Sequence, residues 1–559
     1  MGTFRRNENG YSLLMTFAVI IIFAVLGWSL ITLTSSGITK NNTREEIVQA
    51  QDLSDKGIDY AVKDIQSFLA KGIKDNPMGK TEFEGFLVNT LTSAKLSCTQ
   101  GIKIPAENNN ETTVCIEKVE LVSSEEKDRY KRLVTFKSTG RVNNREHITR
   151  SQIIVGTDAI PDQLRYAIST NDGGNLYLHG GVEIQGDIKT DGHLIFSEKA
   201  HWFSGTTAIW QESVYTRIIP DSKSVTPKII MRESGKNIYL AKNPTTLNYN
   251  SHIAGSPSYL DSSRYTKLMP TGPTTKNTIQ NTMFLTKNLS ILTKDLPGDN
   301  LEIAEKITPL YSNKNYKKNY PSGLSIKTTN HETSKFKRDD VIFVHGEKQV
   351  QDSCKKYILN MCIEWNYKNI LDKASLVIDG AKNTIKLSGT YYINGNLDIV
   401  NTHLQSDALL YVDGDVNIKE STLNGIDSSS TIFIFATGNI SISNISVDSN
   451  TPSVIKGFFY SKQNMIMYGV GSNINLHGGI SATRTILTAV RGVSNNNKFE
   501  NSASQKEIAL VNGNETPKKS SRLKITYDEN LISQYTSFKR DEEEEFITEL
   551  NEPETINRN

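Results

Sequence analysis

Cysteine is scarce in this chain, four in 559 residues, so it is no small disulfide scaffold. Proline (15) and glycine (37) are too few for a collagen-like or proline-rich architecture. Neither sign of charge dominates. The 63 Lys+Arg stand against 61 Asp+Glu, a net +2, so the whole chain lacks the basic excess of a nucleic-acid-binding protein. A mean hydropathy of −0.40 excludes a polytopic membrane protein, though not a single span. Also missing are a G-x-S-x-G elbow, a P-loop and an H-E-x-x-H pair. Hydrophobic residues at 37% and charged residues at 22% exclude wholesale disorder.

One apolar run is present. Residues 11–33, YSLLMTFAVIIIFAVLGWSLITL, carry no charge. At about 1.5 Å per residue they can cross a hydrocarbon core of about 30 Å. Arg5 and Arg6 precede the run, which predicts a single-pass cell-membrane protein with a cytoplasmic N-terminus and its bulk outside. The alternative is a cleaved signal peptide. Its apolar region would be shorter, about 7–15 residues, and Thr34-Ser35-Ser36-Gly37 makes a poor cleavage site. Past the membrane, Ile47, Ala50, Ser54, Gly57, Ile58, Ala61, Ile65, Phe68 and Leu69 recur at helical steps. One helix is therefore predicted over 11–69, broken at Gly37, and its 34–72 half lays a narrow apolar stripe on a soluble domain.

A leader (1–10) ending in Asn9-Gly10, an aromatic Tyr11 and a long half-apolar helix resemble type IV pilins. Residues 7–68, including NENGYSLLMTFAVIIIFAVLGWSLITLTSSG and QAQDLSDKGIDYAVKDI, are similar to the N-terminal module of PilX-type minor pilins. The resemblance implies cleavage by a prepilin peptidase between Gly10 and Tyr11, methylation of the new amine, and assembly with other pilin-like subunits. Major pilins carry Glu at the fifth mature position; here it is Met15. A carboxylate in lipid needs a partner, and in pilins it neutralises a neighbour's terminal amine. Met15 cannot, which implies a minor subunit at a filament tip rather than a bulk subunit. An unprocessed anchor with a juxtamembrane helix is the alternative.

Residues 73–157 read as a small α+β domain, with alternating strands at 119–122, 133–138 and 148–155. Cys98 and Cys115 fall here; Cys354 and Cys362 come later. Each pair is close in sequence and the compartment is oxidising, which predicts disulfides Cys98–Cys115 and Cys354–Cys362, against the alternative of four reduced thiols. With no CxxC spacing and no His pair, neither metal nor cofactor is expected.

From residue 158 the composition shifts toward Asn, Gly, Ser, Thr and Ile. Three copies of a strand–turn–strand phrase centre on Gly395, Gly414 and Gly438, spaced 19 and then 24. The phrases around His179-Gly180-Gly181 and His477-Gly478-Gly479 share their wording. Such spacing predicts a right-handed parallel β-helix-like solenoid over 158–220 and 371–510, with glycine relaxing the corners. An antiparallel sandwich would give similar short strands. The Lys-, Asn- and Pro-rich 221–370 reads as a surface insert, and 511–559, with its acidic run 541–545, as a polar tail. The overall class is a membrane-anchored α+β module followed by a mainly β region.

Polysaccharide enzymes of this architecture need clustered carboxylates and a base. Asp398, Asp413 and Asp415 with Arg484 and Arg491 are the candidates, but Asp beside Gly is chiefly a turn former. No catalytic residues are therefore assigned. Tyr311, Lys314, Tyr316, Lys317, Lys318 and Tyr320 interleave rings with cations, a pattern suited to DNA or to anionic wall polymers, or simply to a solvated loop. The function expected is a non-enzymatic pilus-like component displaying a β-helix for adhesion or DNA uptake. The alternatives are an anchored polysaccharide-binding or polysaccharide-degrading protein, and a plain structural surface protein.

Overall fold

The computed structural model describes the chain apart from residues 1–7, 76–77, 106–109, 124–127, 144, 158–160, 205–206, 222–225, 233–234, 243–261, 271, 283, 286–288, 295–300, 302, 329–330, 359–360, 444, 448, 496–497, 500–507, 512–513, 539–545, 548–549 and 552. It divides into two compact units: residues 1–159 with 541–559, and residues 160–540.

The first unit is built on helix α1 (Glu8–Asp75). At about 1.5 Å per residue, its 68 residues make a rod about 100 Å long. It is unbroken at Gly37, contrary to the sequence expectation; one glycine weakens a helix by only about 1 kcal/mol and does not end it. Past residue 49 the stripe meets a sheet: Ala50, Ser54, Ile58, Ala61, Ile65 and Leu69 are buried, whereas Ile47 and Phe68 stay exposed. Two glycines permit the close approach. A Cβ on Gly57 would lie 2.4 Å from Thr112 Cγ2, and one on Gly140 only 2.1 Å from the Ala50 carbonyl oxygen. The antiparallel sheet runs Ile102–Pro105, Glu111–Leu121, Lys131–Val142, Arg145–Gly156 and Glu554–Arg558. Helix α2 (Lys80–Leu91) buries Phe83 and Leu87 in the same core. The last strand corrects the expectation of one polar tail, because the chain returns to pair Thr555 with Ile153. The acidic run 541–545 lies outside the described residues.

In the second unit, parallel strands stack in three ladders. One ladder runs through Leu376–Asp379, Leu397–Val400, Val416–Lys419 and Ile440–Ser443. Leu397 stands beside Val416, and Val416 beside Ile440, which reproduces the steps of 19 and 24 between corner glycines. Period-two burial in each strand turns Leu397, Ile399, Val416, Ile418, Ile440 and Ile442 inward. Each buried aliphatic of this kind contributes about 1.5–3 kcal/mol. A second ladder is buried on both sides. Its strand Ile432–Ala436 is apolar throughout, with Ile432 and Ile434 facing the inner core and Phe433 and Phe435 an outer one. Helices α3 (Ile303–Asn313) and α4 (Leu531–Thr536) cover that outer side.

The order of the rungs departs from the order of the sequence. From Lys318–Tyr320 the rungs advance to Ile474–Ala489. The next rung combines Leu523–Thr526 with Ile168–Thr170 and Leu176–Gly180. Further rungs then follow out to Ser290–Lys294. The chain thus starts mid-stack, runs to one end, crosses to the other and winds back onto its own beginning. The expected insert 221–370 therefore contributes to the stack: Lys228–Arg232, Ile238–Ala241, Ser290–Lys294, Leu324–Ile326 and Val341–Val344 are all ladder strands. Strands this short, separated by long connections, leave no visible period. The antiparallel hairpin Gly346–Ile358 with Met361–Asp372 leaves the stack. The two His-Gly-Gly phrases are not equivalent rungs, because Leu178 aligns with Leu487 and Leu476 with Ile525.

Candidate functional site

Every large apolar side chain from Leu13 to Leu33 is exposed, from 42% at Val19 to 78% at Trp28. By length and composition this half of α1 can cross a membrane. Met15 is 55% exposed and presents no carboxylate. Gly10 and Tyr11 lie in the first turns of α1, and their side chains are outside what the structure describes.

The corner carboxylates and amides form a chain of hydrogen bonds. Asn396 Oδ1 accepts from the Asp415 amide at 2.9 Å, and Asp415 Oδ1 from the Asn439 amide at 2.7 Å. Asn439 Oδ1 accepts from Asn464 Nδ2 at 2.6 Å, and Asn464 Oδ1 from Arg484 Nε at 2.8 Å. Asp413 accepts from Thr437 at 2.9 Å and meets Lys373 at 3.4 Å; Asp398 accepts from Asn417 at 3.0 Å. Arg491 lies elsewhere, beside Glu183. The five residues weighed as a catalytic set therefore do not come together: Asp413 and Asp415 hold a corner, Asp398 lies within Leu397–Val400, Arg484 within Ile474–Ala489, and Arg491 is beside Glu183. Gly414 and Gly438 belong to the same device. A Cβ on either would fall 2.5–2.6 Å from the carbonyl oxygen of the preceding corner glycine.

The Tyr/Lys segment comes together only in part. Lys317 Nζ lies 2.7 Å from Asp340, and Lys318 Nζ 3.2 Å from Glu332. The Tyr320 hydroxyl donates to Glu332 at 2.6 Å. That bond, with Lys318, holds Glu332 below the usual carboxylate range, while burial and Glu332 push the Tyr320 phenol up. Tyr316 packs its ring against Phe343, and Tyr311 its ring against His345. Lys314 is exposed. A polyanion would have to displace two carboxylates to reach two of the three lysines.

Cys98 is bonded to Cys115 and Cys354 to Cys362. Alkylation of the folded protein without reductant is expected to leave all four unlabelled; labelling of two or more would reject this framework. Each closed loop contributes on the order of 3 kcal/mol. His179 is a core residue, with Nδ1 2.9 Å from Ser197 Oγ and its ring edge against His201 and Trp210. Among the described residues, no group of three His, Cys, Asp or Glu could hold a metal ion.

Two surface features escaped the sequence reading. One is an open groove of about 560 Å³ lined by Lys382, Thr402, His403, Glu420, Ser421 and Thr422. Its residues come from successive corners and share no motif. The other is the hairpin of residues 346–372, whose alternation is hidden because almost every position on both faces is polar or exposed.

A family model described as a domain of unknown function (DUF7305) matches residues 344–533. That span takes in the hairpin and the sequence-continuous part of the stack as far as α4. No curated protein matches the chain. Among solved structures, the competence-associated pilin ComZ from Thermus thermophilus is similar over 85% of this chain and 96% of that one, at 10% identity and a TM-score of 0.26. A score that low does not establish a common overall fold.

Proposed function

We propose that this chain is a non-enzymatic, pilus-type assembly component, a minor pilin, held in the cell membrane by α1 and displaying a right-handed parallel β-helix outside it as a binding surface. The observation that carries the reading is α1 itself. Its first half exposes apolar side chains on every side over a membrane's thickness, and without a break its second half docks a narrow stripe on a small sheet. A plain anchor has no need of a continuous rod joining lipid to a folded domain. The leader before Tyr11 and the missing carboxylate at Met15 fit a subunit present in few copies at a tip. The neutralised Lys317 and Lys318 favour adhesion over contact with DNA. The enzymatic alternative requires converging carboxylates, whereas Asp413 and Asp415 hydrogen-bond at a corner and Asp398 accepts from Asn417 on a ladder strand.

The test is the mature N-terminus together with a deletion. In cells with active prepilin peptidase, mass spectrometry should find Tyr11 first, with a methylated amine. A chain starting at Met1 or Gly2 would reject the pilin assignment. Deleting residues 160–540 should spare membrane insertion and abolish surface adhesion. Adhesion that survives the deletion would remove the display role, and a purified chain that cleaves polysaccharide would overturn the non-enzymatic reading.

A further inference from the structure

The hairpin formed by Gly346–Ile358 and Met361–Asp372 leaves the stack between two ladder strands, Val341–Val344 and Leu376–Asp379. Its two faces differ in chemistry. From residue 364 to 372 the second strand is regular, so Trp365, Tyr367 and Asn369 share one face. Their cross-strand partners are Cys354, Gln351 and Gln349, which puts both glutamines on that face. Trp365 is 37% exposed and Tyr367 59%, with Gln349, Gln351 and Asn369 exposed beside them. The one carboxylate at the base of this face, Glu347, accepts from Asn369 Nδ2 at 2.8 Å.

The charges collect elsewhere. Lys348, Lys356, Glu364 and Lys368 occupy the opposite face, where Lys368 meets Asp352 at 2.7 Å and Lys355 meets Glu364. An aromatic pair at consecutive same-face positions, flanked by three carboxamides and kept clear of cations, has a definite complement. Rings stack on the apolar C–H face of a sugar, and amides satisfy its hydroxyls from both the donor and the acceptor side. Nucleic acid would call for cations beside the rings, and among its described residues this face has none. A protein partner would call for a broad apolar patch, and here the two neighbouring rings are bordered by carboxamides.

We infer that this hairpin is a binding finger for an uncharged polysaccharide, with Trp365 and Tyr367 as the stacking platform and Gln349, Gln351 and Asn369 as the hydrogen-bonding rim. The inference deepens the display reading and rests on it. A lone two-stranded hairpin is marginal in water, and the Cys354–Cys362 bond staples this one near its tip. The platform is thus ordered before the ligand arrives, which reduces the entropy lost on binding.

The experiment is affinity electrophoresis of the full chain in detergent, in gels carrying galactomannan, mixed-linkage β-glucan or dextran, with alginate as the anionic comparison. At least one neutral polymer should retard the protein, equally at low and high salt. The double substitution Trp365→Ala, Tyr367→Ala should weaken that retardation at least about tenfold. Trp365→Phe should keep most of it, and Lys348→Ala with Lys368→Ala all of it. Thermal melts matching wild type keep the comparison fair, since both rings are exposed. No retardation by any neutral polymer, equal retardation of the double variant, or salt-screened retardation by alginate alone would each overturn the inference. In cells, loss of adhesion on deleting 160–540 but not in the double variant would sink the finger and leave the display reading standing. Loss in neither would sink the display reading itself.

Discussion

Replacing Gly174 by alanine should destabilise the second unit by more than about 3 kcal/mol, although the change adds a single methyl group. A Cβ at this position would fall 1.3 Å from the Thr483 carbonyl oxygen and 3.0 Å from that of Asn171. Both are backbone atoms, so no side chain can swing aside. The position is the seam where the stack's late rungs meet its early ones. Asn171 N donates to Ala482 O at 3.1 Å, and Thr485 N to Asn175 O at 3.1 Å. Moving the backbone to admit the methyl would pull those bonds apart. Gly471 is the control: a Cβ there meets nothing within 4 Å, so Gly471→Ala should change stability by less than about 0.5 kcal/mol. Thermal unfolding and limited proteolysis of the two variants decide the matter. A Gly174→Ala protein that melts with wild type would show that the seam is not closed as described.

The second large effect lies on the same seam. Glu183, with a side chain 13% exposed, meets Arg491 at 3.3 Å, Arg217 at 3.4 Å and Lys524 at 3.4 Å. Arg491 and Lys524 come from the late part of the chain and Glu183 and Arg217 from the early part, so the carboxylate ties the two together. Burial pushes the Glu183 carboxyl up, but Arg491, Lys524 and Arg217 together outweigh it and hold it below its ordinary 4.5. Burial draws the Arg491 guanidinium down to about 10 despite Glu183. Glu183→Gln should destabilise the unit by about 3–5 kcal/mol at pH 7, because it leaves Arg491 buried without its counter-charge. A carboxyl whose folded value is depressed stabilises fully above its unfolded value and loses that contribution as pH falls through the folded one. Wild type should therefore lose stability as pH falls below about 4.5, and the Gln variant should lose less over the same window. Pairing Glu183→Gln with Arg491→Met should recover part of the loss, since a neutral pair leaves no stranded charge. Denaturant titrations at pH 7, 5 and 3.5 read all three proteins. Equal slopes with pH for wild type and Glu183→Gln would remove the network from the account.

Several features of this molecule could be read from residues alone because their causes are local. Of the stripe read at helical steps, Ala50, Ser54, Gly57, Ile58, Ala61, Ile65 and Leu69 are buried and Ile47 and Phe68 are exposed, while Val62 and Ile73 are buried as well. The steps between Gly395, Gly414 and Gly438 are the steps between paired strands, because a stacked corner has no room for a Cβ. Even the strands 133–138 and 148–155 lie inside Lys131–Val142 and Arg145–Gly156. Alternation also suffices to place Trp365 and Tyr367 on one face once the hairpin is known, but the hairpin's register, with its bulges, is not visible in so polar a segment.

Tertiary structure alone decided the partners. That Lys317 and Lys318 would face Asp340 and Glu332 depends on how a turn and a short helical segment fold back, and a run of cations and rings carries no sign of it. That strands such as Lys228–Arg232, Ser290–Lys294 and Val341–Val344 would join the stack, and that the chain would close on its own start, depends on which rungs meet. Ile480 against Ile168 and Ile455 against Leu476 are chemically the same contact. Apolar stacking is nearly indifferent to which aliphatic lies above which, so the sequence by itself determined the rod, the rungs and their corners. The order in which the rungs stack was decided by specific close fits, Gly174 beneath Thr483 and Glu183 among its three cations, which exist only once remote segments are side by side.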